Sequence, residues 1–245
     1  MSLPYLFGIH SVKARLIKQP HTAKTLYVLE GREDKALKSI LTLAQEIRLP
    51  IRTVSRETLN HMAQQENHQG VLLEVDSTAS PSPHLKDFLK GLKKPALLLV
   101  LDGIQDPHNL GACFRSADAA GVDAIIAPKD NATSITPIVS KVASGAAETI
   151  PFFQVTNLAR TLELLKEEGI WIYGMTEEAS SSLYQMNFTG PIALVLGAEG
   201  KGLRNLTKTK CDELISLPMA GTVSSLNVSV ATGVALFEVV RQRQR

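Results

Sequence analysis

The most restrictive feature of this 245-residue sequence is an alternation, from residue 96 onward, of short apolar runs with helix-length segments. The runs are too short for helices, so each predicts a buried strand: ALLLVLD, AIIAP, PFFQV, IWIYGM, IALVLG and LISLP. Strands that alternate with helices in this way build a mostly parallel sheet that is covered on both faces. Ligands bind such sheets beyond the carboxyl ends of the strands, so the loops after the strands form the candidate site.

The first 76 residues repeat the pattern on a smaller scale. Helices are predicted at GIHSVKARLIK, at DKALKSILTLAQEIR with Asp34 near its start and at RETLNHMAQQ, and strands at TLYVLE, IRTV and GVLLEV. The Ser-, Thr- and Pro-rich start of DSTASPSPHLKDFLKGLKKP indicates a linker. We therefore expect an α/β protein with a small domain at 1–76, a linker at 77–95 and a larger domain at 96–245.

Composition narrows the class of protein. The small domain, the linker and the large domain have net charges of +2, +3 and −3. A mildly basic front half is compatible with a polyanionic partner, and an ordinary solvated surface explains the charge as well. The two cysteines, Cys113 and Cys211, have no CxxC spacing, which argues against a disulfide scaffold or a metal site. Without a signal peptide or a membrane-length apolar run, a cytoplasmic location is expected.

The loop DPHNLG (106–111) leads into a helix of small residues that carries one arginine. We expect Asn109 to cap this helix and Arg115 to lie nearly two turns along it. One interpretation is a surface arginine paired with Asp118. The other is that the small residues allow close packing and the guanidinium binds a phosphate or a polarised oxygen. His108 is a candidate base, but loop histidines more often form hydrogen bonds at a helix start.

The glycine-rich loop GAEGKG (197–202) predicts a close approach of the backbone to a ligand. It fits neither the Rossmann GxGxxG pattern nor the P-loop, and plain turn chemistry explains it as well. Glu199 favours a site, because a carboxylate inside such a turn is costly to bury unless it is paired.

The third loop, PMAGTVSSLN (218–227), leads into the helix SSLNVSVATGVALFEVV, which is apolar nearly all round. Ser224 or Ser225 is the expected N-cap. A helix without a polar face is buried on every side, either in a subunit interface or beneath other segments of the chain. Asn227 then needs buried hydrogen-bond partners.

Three segments resemble, in order and spacing, the motifs of the SpoU (TrmH-like) RNA 2′-O-methyltransferases of the SPOUT superfamily: NLGACFRSADAAG, VLGAEGKGLR and ISLPMAGTVSSLNVSVATGVALFE. The N-terminal FGIHSVKARL and HQGVLLEV resemble the L30e-like module that precedes the catalytic domain in a subset of this family. The resemblance covers essentially the whole chain, and three co-occurring motifs are far more specific than one.

The resemblance implies an α/β fold in which a C-terminal SPOUT-type parallel-sheet domain with a deep trefoil knot follows a small L30e-like α/β RNA-binding domain. It also implies a homodimer through the knotted domain and S-adenosylmethionine as the methyl donor, without a metal. The catalytic residues that the family motifs imply are Asn109, Arg115, Glu199 and Asn227. The cofactor-binding residues that they imply are Gly197, Leu217, Met219, Ser225 and Leu226.

The implied reaction is methyl transfer to the ribose 2′-oxygen of a guanosine in 23S ribosomal RNA, in the peptidyl-transferase-centre region, as free RNA or in a large-subunit assembly intermediate. The alternatives are a tRNA 2′-O-methyltransferase and a non-catalytic RNA-binding ribosome-assembly protein. The two-domain layout disfavours the first, and the four intact catalytic residues disfavour the second. Because arginine is a poor general base, we expect Arg115 to hold a phosphate, orient the hydroxyl and stabilise negative charge rather than to accept the proton.

Overall fold

The computed structural model describes residues 5–64, 67–76 and 84–244. The chain divides into two compact units, of which unit 1 spans 1–82 and 144–149, and unit 2 spans 83–143 and 150–245. Residues 77–83, the first part of the predicted linker, lie outside the described residues.

In the described residues, unit 1 contains a four-stranded sheet. Its strands are β1 (Tyr5–Phe7), β2 (Ala23–Leu29), β3 (Ile51–Val54) and β4 (Val71–Val75). Its α-helices are α1 (Ile9–Lys18), α2 (Lys35–Glu46) and α3 (Arg56–Met62). The strand order is β1-β4-β2-β3, with β2 parallel to β3 and β4 antiparallel to both of its neighbours.

The sheet of unit 1 has an apolar cluster on each face. Leu26 and Val28 of β2 pack into the cluster that contains α1 and α2, whereas Tyr27 packs against the cluster around Leu59 of α3. The Asp34 side chain accepts a hydrogen bond from the Leu37 N–H at 2.9 Å and caps α2, so the predicted helix start is confirmed.

Unit 2 is built on a seven-stranded sheet in which every pair of neighbours is parallel. Its strands are β5 (Leu97–Asp102), β6 (Ala124–Pro128), β7 (Phe152–Val155), β8 (Trp171–Met175), β9 (Ser181–Ser182), β10 (Ile192–Gly197) and β11 (Glu213–Ser216). Its α-helices are α4 (Leu85–Lys90), α5 (Pro107–Ala119), α6 (Pro137–Ala143), α7 (Leu158–Glu167), α8 (Asn205–Lys210) and α9 (Val228–Arg243). The parallel sheet predicted from the sequence is confirmed.

Two short segments complicate a division into sequential domains. Residues 144–149 belong to unit 1, where the buried carboxylate of Glu148 pairs with Arg15. Helix α4 belongs to unit 2, where its Phe88 ring lies 5.3 Å from the Phe153 ring, between centroids.

The strand order β7-β6-β5-β10-β8-β11-β9 places β5 and β10 side by side in the middle of the sheet. All six residues of β5 are buried, as expected for a central strand that is covered on both faces. At the carboxyl ends of these strands, Gly197 lies opposite Asp102 in the register. The loops that follow β5 and β10 therefore emerge next to each other.

Both helix starts predicted near the site were wrong. Helix α5 begins at Pro107 with Asp106 as its N-cap, not Asn109, because the Asp side chain accepts the His108 N–H at 2.8 Å and proline suits the first helical position. Helix α9 begins at Val228 with Asn227 as its N-cap, not Ser224 or Ser225.

Helix α9 is not buried on every side in the single chain. Its inner side packs into unit 2 through residues that include Thr232, Leu236 and Val239, whereas Val230 and Phe237 are 51% and 50% exposed. Burial of the whole helix beneath other segments of the same chain is therefore wrong, and burial of its outer side in a subunit interface stays a prediction. Among the described residues, no helix has the length and apolar character that a membrane span requires.

His68 generates a prediction about pH. Its ring is buried, with Nδ1 accepting the Gly70 N–H at 2.9 Å and Nε2 lying 2.9 Å from the Asn60 Oδ1. Burial, together with the positive charges of Arg56 and Arg32, lowers the pKa of His68 below its ordinary value of 6.5. Its contribution to the stability of unit 1 is therefore complete above pH 6.5 and is lost as the pH falls through the lowered pKa.

We expect an NMR titration of the His68 ring to give a midpoint below 6.5 and a His68→Gln variant to lose this component of the pH dependence. A midpoint at or above 6.5 would show that the neutral ring is not favoured by the fold.

Candidate active site

The candidate site lies where three loops meet beyond the carboxyl ends of β5 and β10. The loops comprise residues 102–109, 197–204 and 217–229, and they correspond to the three loops singled out in the sequence. Residues of the second and third loops line two neighbouring cavities, and residues of the first loop line one of them.

The turn after β10 depends on glycine. A Cβ at Gly197 would lie 2.0 Å from the carbonyl carbon of Gly202, so no side chain fits there. The Gly202 N–H donates to the Ala198 carbonyl oxygen at 2.8 Å and closes the turn, and Gly200 and Gly202 have φ values of 71° and 63°. The turn therefore approaches its own backbone closely and leaves Glu199 exposed at the site.

The end of this turn is attached to β5 by a buried carboxylate. Asp102 is 1% exposed. Its Oδ2 accepts the Arg204 backbone N–H at 3.1 Å, and its Oδ1 accepts the Arg204 Nε–H at 2.6 Å. Because a buried carboxylate is stable only when it is paired, this contact fixes the turn to the strand. The sequence interpretation missed both residues; the one signal was an aspartate that ends an apolar strand.

Asn227 joins the three loops. Its Nδ2 donates to the Asn109 Oδ1 at 3.0 Å and also to the Glu199 Oε1. Its Oδ1 accepts the Ser229 N–H at 2.9 Å, and the Asn109 Nδ2 donates to the Asp106 carboxylate at 3.3 Å. The expected partners of Asn227 are therefore present, although Asn227 itself is exposed. Three of the four predicted catalytic residues lie in one hydrogen-bond network.

Arg115 does not join this network. Its side chain is exposed on α5 and forms no hydrogen bond or ion pair within the part of the chain that the structure describes. It lies six residues after Asn109, which corresponds to about 9 Å along the helix axis. The single chain therefore leaves this guanidinium free at the surface, beside the site rather than in it.

The first cavity has a volume of about 290 Å³ and is lined by all five residues predicted to bind the cofactor: Gly197, Leu217, Met219, Ser225 and Leu226. Its wall also carries the carboxylates of Glu177 and Glu199. Apolar side chains beside exposed backbone and carboxylates can bind a flat aromatic ring at one place and a positive charge at another.

The cysteines do not supply a nucleophile. Burial raises the pKa of Cys113 to about 11 and that of Cys211 to about 12, so both remain thiols at neutral pH. In the described ranges, no group of three or more His, Cys, Asp or Glu side chains is arranged to hold a metal ion. His108 is exposed at the start of α5, where its backbone N–H bonds Asp106.

Comparison with known families connects this geometry to a class of enzymes. Residues 96–237 match the SpoU rRNA Methylase family, and residues 5–81 match a family described as RNA 2′-O ribose methyltransferase substrate binding. The chain belongs to the SpoU methyltransferase family. The match includes the three loops that build the site.

Individual SpoU relatives match most of the chain. The 23S rRNA (guanosine-2′-O-)-methyltransferase RlmB of Shewanella oneidensis is 52% identical over 98% of this chain and 97% of its own length. The SpoU methyltransferase AviRb from Streptomyces viridochromogenes, solved in complex with AdoMet, has a TM-score of 0.79 and 26% identity, and covers 98% of this chain and 90% of its own. The A. aeolicus TrmH/SpoU tRNA modifying enzyme has a TM-score of 0.57 and 29% identity, and covers 65% of this chain and 80% of its own.

The structure of this SpoU methyltransferase leaves no space for a methyl group at position 197. We expect Gly197→Ala to displace the turn of residues 198–204 and to reduce cofactor affinity at least tenfold, because the clash is with backbone and not with a movable side chain. Isothermal titration with S-adenosylmethionine measures the loss.

Gly190→Ala is the matched control, since a Cβ at that position meets nothing within 4 Å. Equal affinities of the wild type and Gly197→Ala would contradict the account of the turn.

Proposed function

We propose that this protein transfers the methyl group of S-adenosylmethionine to the ribose 2′-oxygen of a guanosine in 23S ribosomal RNA. The observation that carries the proposal is the Asn109–Asn227–Glu199 network, which lies beside a cavity lined by the five predicted cofactor residues. The name of the Shewanella oneidensis relative supports the RNA and the nucleoside, and its match extends over 98% of this chain.

The first cavity suits this methyl donor. Leu217, Met219 and Leu226 offer apolar surfaces for an adenine ring, and the exposed backbone of the loop can read its edge. The carboxylate of Glu199 lines the same cavity and would stabilise a sulfonium cation bound near it. When bound, S-adenosylmethionine supplies an electrophilic methyl group. Within the described residues, the cavity contains no metal-binding cluster.

The protein residues prepare the hydroxyl for in-line attack. Glu199 accepts a hydrogen bond from Asn227. The second oxygen of Glu199 can accept a hydrogen bond from the ribose hydroxyl, which raises the nucleophilicity of that hydroxyl. Asn109, held by Asp106 and Asn227, fixes the orientation of this group. Arg115 holds an RNA phosphate near the ribose, which agrees with its exposed position beside the site. Orientation of this kind lowers the barrier by several kcal/mol.

The proposal extends to the organisation of the chain. Residues 1–76 form an L30e-like domain that binds the RNA, residues 77–95 connect the domains, and residues 96–245 form the catalytic domain with a trefoil knot. The match of residues 5–81 to a substrate-binding family supports the first part. The exposed Val230 and Phe237 of α9 support a homodimer through the catalytic domain. A cytoplasmic location stays a prediction.

Methylation of purified RNA tests the function. The protein and labelled S-adenosylmethionine are incubated with unmodified 23S ribosomal RNA and, separately, with unmodified tRNA, and the modified position is mapped. We expect one 2′-O-methylguanosine in 23S RNA and none in tRNA. Methylation of tRNA alone would favour the tRNA alternative, for which the A. aeolicus enzyme matches 65% of this chain. Failure to bind S-adenosylmethionine would favour the non-catalytic alternative.

Arg115→Ala should lower methyl transfer at least a hundredfold and leave the affinity for S-adenosylmethionine unchanged, because the partner of Arg115 is RNA. Arg115→Lys should also be impaired, since a point charge lacks the planar pair of donors. Arg160→Ala, which removes another exposed arginine of unit 2, serves as the control. Near-normal turnover of Arg115→Ala would remove Arg115 from the catalytic residues.

Phe237→Lys should produce a folded monomer, because the side chain is 50% exposed in the single chain and its charge can be solvated there, whereas a charge in the proposed dimer contact would be buried. Sedimentation at several concentrations gives the oligomeric state. Tyr184→Lys, at an aromatic side chain that is 55% exposed, should leave the dimer intact. A Phe237→Lys protein that remains a dimer would show that α9 is outside the interface.

A further inference from the structure

A second cavity adjoins the first. It has a volume of about 460 Å³ and lies between the loop after β5 and the turn after β10. Five residues line both cavities and form what we term the shared wall: Ala198, Glu199, Lys201, Gly202 and Val228. A two-substrate reaction requires its reactants to meet within bonding distance, and the shared wall is the place where occupants of the two cavities would meet.

Some polar groups of the second cavity are already engaged within the protein. Asp102 binds Arg204, and Asp106 accepts hydrogen bonds from the His108 N–H and the Asn109 side chain. These hydrogen bonds hold the loop after β5 and the end of the turn after β10 at the cavity wall.

Three other polar side chains of this cavity are not engaged. Gln105, Asn131 and Lys201 line it, are exposed, and form no side-chain hydrogen bond or ion pair with any residue that the structure describes. Lys201 differs in this respect from Lys208 of the first cavity, whose ammonium lies 2.8 Å from the Glu178 carboxylate. Besides the carboxylate of Glu199, the cavity therefore presents two carboxamides and one ammonium to a ligand.

We propose that the second cavity binds the guanosine that accepts the methyl group, with Gln105 and Asn131 bonding the base and Lys201 bonding a phosphate next to the ribose. This inference rests on the proposed function. A carboxamide has both donor and acceptor atoms, which match the O6 acceptor and the N1–H and 2-amino donors of guanine. Ile104, which lines the same cavity away from the shared wall, provides apolar surface for one face of the base.

The position of Lys201 agrees with this arrangement. It lies on the shared wall, next to Glu199 in the same turn, so a phosphate that it holds keeps the ribose close to the methyl donor. The base then extends away from the shared wall toward Gln105 and Asn131. Such a geometry requires the nucleotide to be unstacked from its RNA neighbours, which is the usual state of bases that proteins read in RNA loops.

The test uses a synthetic RNA fragment that contains the methylated position, once it has been mapped in 23S RNA, with either guanosine or inosine at that position. Inosine lacks only the 2-amino group. We expect Gln105→Ala and Asn131→Ala each to lower kcat/KM for the guanosine fragment about tenfold, mainly through KM. At least one of them should lose the preference of the wild type for guanosine over inosine. Lys201→Ala should also raise KM, without a change in base preference.

Gln154→Ala and Lys141→Ala are matched controls, since both residues are exposed in the same unit and line neither cavity. Calorimetric affinity for S-adenosylmethionine should be unchanged in the Gln105→Ala and Asn131→Ala variants, whose residues do not line the first cavity, and this verifies that the fold and the first cavity are intact. Wild-type kcat/KM and wild-type base preference in both carboxamide variants would overturn the assignment.

A second measurement separates this inference from the proposed function. Guanosine 5′-monophosphate is added to the wild-type protein, and the side-chain amide NMR signals of Gln105 and Asn131 are followed. We expect both signals to shift, whether or not the chosen RNA is methylated. Unchanged signals at saturating nucleotide would overturn the cavity assignment, whereas shifted signals without methylation of any RNA would contradict the proposed function alone.

Discussion

The site depends on the contact between the buried carboxylate of Asp102 and Arg204. Asp102 ends the central strand β5, and its carboxylate accepts hydrogen bonds from both the backbone and the guanidinium of Arg204. This contact fixes the far end of the turn whose near end is the last residue of β10. Because that turn supplies Ala198, Glu199, Lys201 and Gly202 to both cavities, the pair positions the surface at which two substrates can meet. Loss of the Asp102 carboxylate would remove both hydrogen bonds that hold this end of the turn.

Asn227 connects the third loop to the other two loops through the oxygen and the nitrogen of its carboxamide. Its oxygen caps α9 by accepting the Ser229 N–H, and this bond determines which way the amide is oriented. The nitrogen is thereby directed to Asn109 and Glu199. One side chain therefore both caps the helix and positions the other site residues. This double role explains why an asparagine rather than a serine begins this helix.

The sequence predicted those features that local chemistry determines. Buried parallel strands are recognisable as apolar runs, and the turn at Gly197 is recognisable from its glycines. The helix starts were wrong because several good N-cap residues stand close together, and only the backbone geometry selects Asp106 and Asn227. The Asp102–Arg204 pair could not be predicted, since its partners are far apart in the chain. The apolar character of α9 was read correctly, but one chain covers only one side of that helix.

In the proposed arrangement, the two cavities bind the two substrates on opposite sides of the shared wall. A crystal structure of the protein with S-adenosylhomocysteine and guanosine 5′-monophosphate would show both positions at once. We expect the adenine between Leu217 and Leu226, the sulfur beside Glu199, and the guanine near Gln105 and Asn131, with the ribose hydroxyl facing the sulfur. S-adenosylhomocysteine in the second cavity, or a nucleotide bound away from the shared wall, would contradict it.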